Sequence, residues 1–100
     1  MICDLQNNQA PSSPEYVLMI PMIVAFKATS DKGWFVLAYK AHQWLYHSVK
    51  KIGDMRGWLV DDIYRGRKNV DMSAEHKEDG IIFTLYLDKF QFSQLELKIN

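Results

Sequence analysis

The sequence predicts an α+β fold: an antiparallel sheet in the order β-β-α-β-β-β, with one bent helix or two short helices packed on one face. Three observations predict it. Runs rich in Val, Ile and aromatic residues, separated by turn residues, fill positions 16–40. A 3.6-residue apolar period takes over at 41–65, and short strand-like runs return over 69–100.

Residues 1–15, "MICDLQNNQAPSSPE", are polar and hold two of the three prolines, so they read as a flexible N-terminal tail ahead of a single domain over 16–100. "YVLMIPMIVAFKA" then predicts a strand over 16–28, "SDKG" a turn, and "WFVLAYKA" a second strand over 34–40. Pro21 cannot donate to a ladder, which places it at a sheet edge or a bulge. The first run is apolar at both odd and even positions. One helical layer covers one face of a sheet, so the second row needs sheet curvature, the tail or another chain to cover it.

From Ala41 the residues Ala41, Trp44, Leu45, Ser48, Val49 and Ile52 share one helical face, with Gln43, His47 and Lys50 opposite. Met55, Leu59 and Ile63 continue in phase, which gives helical segments over 41–52 and 55–65. Gly53 and Gly57 each cost about 1 kcal/mol inside a helix, and Asp54 is placed to cap the second segment. A competing reading extends the second strand to about residue 46. "NVDMSA", "IIFTLYLD" and "FQFSQLELKIN" predict a meander, with "EHKEDG" as its first turn and "DK" as a tight second one. A bulge near Ser93–Gln94 would bring Phe90, Phe92, Leu95, Leu97 and Ile99 to one face.

One hundred residues, 48% of them hydrophobic and 13% aromatic, suit a single folded core and exclude disorder. The lone Cys3 forms no internal disulfide, which fits a reducing, cytoplasmic setting. The apolar run at 16–28 falls short of the roughly 20 residues of a membrane helix and lacks the basic flank of a signal peptide.

Formal charge sums to zero but is uneven: residues 40–68 carry +7 and −3, whereas 69–100 carry +3 and −6. The basic stretch "KKIGDMRGWLVDDIYRGRK" has two readings. As a nucleic-acid surface, Lys50, Lys51, Arg56, Arg65, Arg67 and Lys68 would meet phosphates while Trp58 and Tyr64 stack on bases. As two helix ends, the same cations oppose helix dipoles, and Asp61 pairs with Arg65 four residues on. The sequence pI of about 6.8 favours the second, because nucleic-acid domains more often lie above about 9.

His42 and His47 are five apart, about 140° around a helix, and do not grip one metal. Asp61 and Asp62 diverge by about 100° and do not flank one bond. Asp71, Glu75, Glu78 and Asp79 lie in and beside a solvated turn, and neither a nucleophile elbow nor a phosphate-cradling loop occurs. The expectation is no enzymatic activity, no catalytic residues, no cofactor and no metal. Trp44 belongs to the core. Trp34, Arg56, Trp58, Tyr64, Arg65, Arg67 and Lys68 are the candidate partner-binding residues, because Trp, Tyr and Arg dominate interfaces. The sequence thus predicts a small cytoplasmic protein-binding module, an inhibitor or adaptor of the kind phages and mobile elements encode. It would form a homodimer and touch no membrane, with association of the 50–68 stretch with nucleic acid as the alternative.

Overall fold

The computed structural model describes residues 16–29 and 34–98. The expected tail at 1–15 and the whole of the "SDKG" turn lie outside the described residues, as do Ile99 and Asn100. The architecture is α+β: a single 3₁₀ turn (Val17–Met19), helices α1 (Ile20–Thr29), α2 (Trp34–Arg56) and α3 (Val60–Tyr64), then strands β1 (Val70–Lys77), β2 (Gly80–Leu87) and β3 (Phe90–Lys98). The strands form one antiparallel sheet in the order β1-β2-β3. Among the described residues no helix is long and apolar enough to cross a membrane.

The N-terminal half corrects the expected hairpin. Both runs read as strands, 16–28 and 34–40, are helical, and the long-strand alternative to residue 46 fails with them. In the first, Leu18, Met22, Ala25 and Phe26 are buried at helical spacing. Pro21 is the second residue of α1, where a missing N–H costs nothing. It therefore marks a helix start and no sheet edge. In the second, Leu37 and Ala38 pack against the core in phase with the buried Ala41 and Leu45, so residues 34–40 are the first turns of α2.

The period read from residue 41 holds: Ala41, Leu45, Ser48, Val49 and Ile52 are buried and Trp44 half-buried, with Gln43, His47 and Lys50 exposed. It fails at Met55 and Leu59, which are exposed, because α2 stops at Arg56 and the chain turns before α3 restores a buried residue at Ile63. Gly57, with φ of 71°, makes that stop. Its N–H and that of Trp58 both donate to the Gly53 carbonyl, at 2.7 and 3.1 Å. Asp54 lies within α2, where it pairs with Lys50; the residue preceding α3 is Leu59, which makes no side-chain cap.

The meander forms as expected. β1 runs three residues further than its sequence signal, leaving Glu78 and Asp79 as the turn. Asp88 and Lys89, at φ of 54° and 71°, form the tight turn into β3. The bulge falls at Phe92, just before Ser93–Gln94, where the β2 partner shifts from Ser93 to Gln91. That shift sets Leu97, Leu95 and Phe90 opposite Ile81, Phe83 and Leu87, and Phe92 packs against the core.

Ile81, Phe83, Leu85 and Leu87 of the central strand face the helices and are buried. The outer face carries Asp71, Ser73, Glu75 and Lys77 on β1 and Gln91, Gln94, Glu96 and Lys98 on β3, flanking Ile82, Thr84 and Tyr86. That alternation is ordinary for a sheet solvated on one side. The surplus apolar row foreseen for a strand at 16–28 is real, but it lies on α1.

Candidate functional site

The basic stretch 50–68 covers the end of α2, the connection and α3, and the structure divides its candidate residues into two groups. In the first, Trp58 is half-buried in the connection against the core. The Arg56 guanidinium lies 5.1 Å from the centre of its ring and the Lys68 ammonium 5.3 Å. Arg56 also binds the carboxylate of Asp88 at the β2–β3 turn, and Asn69 donates to the same carboxylate at 3.4 Å. Two cations, one indole and one acid thus close the gap between the helical layer and the end of the sheet.

The second group gathers where the 3₁₀ turn meets α3. Arg65 Nε donates to Asp61 at 2.7 Å, and the Tyr16 hydroxyl donates to the other oxygen of the same carboxylate at 3.2 Å. The Arg65 guanidinium lies 5.3 Å from the Tyr16 ring centre, and Tyr64 meets that ring edge-on at 5.6 Å. The Arg65 hydrogen bond holds the Asp61 carboxyl below its ordinary range. Burial pushes the Tyr64 hydroxyl up to about 12, with the nearby Tyr46 and Tyr16 adding to the shift. Tyr16, Met19, Val60, Asp61 and Tyr64 line an open cleft of about 240 Å³. Its walls are aromatic and aliphatic, with one paired carboxylate at the rim.

The chain matches no protein-family model, no curated protein and no solved structure. The site therefore rests on its own geometry.

Of the seven residues singled out from the sequence, Arg56, Trp58 and Lys68 form the first group, and Tyr64 and Arg65 belong to the second. Arg67 stands beside it, paired with Asp62 at 3.1 Å. Trp34 opens α2, but its side chain lies outside the described residues. Sequence reasoning missed Tyr16 and Met19, which precede the basic stretch by more than 30 positions. It also read Asp61 as a mere helix partner for Arg65, whereas Asp61 joins both Tyr16 and Arg65.

The histidines are dispersed. His42 is half-buried on α2, His47 is exposed beside Tyr46, and His76 Nε2 lies 3.2 Å from the Ala25 carbonyl. In the acidic group, Glu75 pairs with Lys77 and Asp79 with Lys98. Among the described residues no three His, Cys, Asp or Glu side chains are grouped as metal ligands.

Proposed function

We propose that the protein is a non-catalytic protein-binding module of inhibitor or adaptor type, and that its contact surface is the Tyr16–Tyr64–Arg65 cleft. One observation carries the reading: Asp61 fixes the Tyr16 hydroxyl and the Arg65 guanidinium together, so two aromatic rings and an arginine stand in place before any partner arrives. Side chains of this kind dominate binding energy at interfaces, and fixing them beforehand removes part of the ordering cost of association. The cleft admits one apolar side chain, which suits the anchor residue of a protein partner.

The nucleic-acid alternative ranks second because Arg56, Arg65 and Arg67 each already hold a carboxylate, which opposes phosphate contact. The test is capture from host lysate, run in parallel with and without nuclease, with the full chain and its Tyr64→Ala and Arg65→Ala variants as baits. A protein retained by the parent and lost by both variants supports the reading. Salt-sensitive retention of nucleic acid by the parent, abolished by Arg65→Ala and Arg67→Ala, overturns it in favour of the alternative.

A further inference from the structure

We propose that the outward face of α1 is a self-association surface whose occupant is a second copy of this chain. The inference is independent of the Tyr16–Tyr64 cleft and starts from the composition of α1. Its inner face buries Met22, Ala25 and Phe26, yet its outer face is equally aliphatic: Ile20, Ile23 and Val24 are 47%, 56% and 59% exposed, with Val17 of the preceding turn at 46%. On the adjoining α2, Val36 and Tyr39 are 61% and 65% exposed. Among the described residues only Lys27 interrupts the outer face of α1, and a helix so nearly apolar all round is normally covered on both sides.

Area selects the occupant. The exposed parts of Val17, Ile20, Ile23 and Val24 amount to roughly 350 Å² of apolar surface, and Val36 with Tyr39 bring it to about 550 Å². A standard interface buries about 800 Å² per partner, of which roughly 450–520 Å² is apolar. The supply matches what one side of a dimer needs. Charge permits it: the stripe's one ionic group is the exposed Lys27 near the C-terminal end of α1, which an antiparallel pairing of two α1 helices centred on Ile23 and Val24 keeps away from its copy. Shape agrees as well. Beside the stripe, Ile20, Pro21 and Val24 of α1 and Ala74 and His76 of β1 border a recess of about 300 Å³. One face thus offers both projecting side chains and a hollow, the combination a two-fold interface uses from both sides.

Sedimentation velocity of the full chain from about 1 to 300 μM tests this. The expected result is a monomer that converts to a dimer as concentration rises. Ile23→Glu should weaken the dimer at least ~10-fold by placing a charge in the interface. Its circular dichroism should match the parent, since the side chain is mostly in solvent; Val24→Lys repeats the measurement should Ile23→Glu fold poorly. Ser73→Glu, on the polar sheet face, should leave association unchanged. A chain that stays monomeric throughout overturns the proposal, including one that binds an apolar dye. So does a dimer that resists both α1 variants, or one that Ser73→Glu dissolves.

Discussion

The indole N–H of Trp44 donates to the Ser93 hydroxyl at 2.7 Å, joining the middle of α2 to β3 directly beside its bulge. Ser48, one turn further along α2, lies 3.4 Å from the same oxygen. Ser93→Ala removes the acceptor and leaves a partly buried indole N–H without its bond. The expected cost is about 1–3 kcal/mol in urea denaturation. Gln91→Ala, two residues back and facing outward, should cost less than about 0.5 kcal/mol.

The face of α2 gives a second contrast. Leu45 is fully buried, so Leu45→Ala should cost about 2–5 kcal/mol. Gln43 is exposed and donates to the Tyr39 hydroxyl, itself at the surface, at 3.0 Å, so Gln43→Ala should cost under about 0.5 kcal/mol. Equal losses in denaturation would reject this orientation of the helix.

Gly53 and Gly57 should resist replacement for different reasons. A Cβ on Gly53 would stand 2.8 Å from the Trp58 carbonyl oxygen, a backbone atom that cannot swing away. Gly53→Ala should therefore lower the melting temperature, although alanine gains about 1 kcal/mol in helix propensity. At Gly57 the space is open, but φ of 71° is unfavourable for a side chain, and Gly57→Ala should cost about 1 kcal/mol. An unchanged melting temperature for Gly53→Ala would refute the close approach.

Two titrations follow from burial. Burial lowers the His42 pKa from its ordinary 6.5, so below that value the unfolded chain takes up a proton that the folded chain declines. The stability this contributes is complete above pH 6.5 and is lost as pH falls towards the folded value. His42→Gln should show a shallower decline between pH 8 and pH 5 in urea midpoints than the parent, and parallel declines would rule His42 out. Tyr64 works in the opposite range. Its folded pKa of about 12 exceeds the usual 10, so its contribution is intact below pH 10 and fades as pH rises towards 12. Absorbance at 295 nm should show a phenol ionising near 12, absent from Tyr64→Phe.

The C-terminal half was the more legible because its signals are local and single-valued. Asp88 and Lys89 between two apolar runs specify a tight turn, and the parity change after Phe92 required a bulge that lies within two residues of its expected place. Residues 16–28 admit both periods at once. Leu18, Met22, Ala25 and Phe26 trace a helical stripe, but Val17, Ile20, Ile23 and Val24 fill the remaining sides with aliphatics, and the β-branched content tilts the reading towards a strand. Pro21 near the start of the run was the discriminating residue. The cleft was half legible. Tyr64 and Arg65 stand out by type, whereas Tyr16 enters through a hydrogen bond to Asp61 that spans 45 positions, a relation that only the fold creates.

The central position of β2 orders the molecule in time as well as in space. Its backbone is paired with β1 on one side and β3 on the other, and Ile81, Phe83 and Leu85 are wholly shielded from water. Exposing a β2 amide to solvent thus requires detaching a neighbouring strand, whereas the amides of Asp61 and Asp62 lie in the first turn of α3 and have no intrahelical acceptor. In deuterated solvent the protons of Phe83 and Leu85 should be among the last to exchange, at a rate set by global unfolding. Those of Asp61 and Asp62 should be gone early.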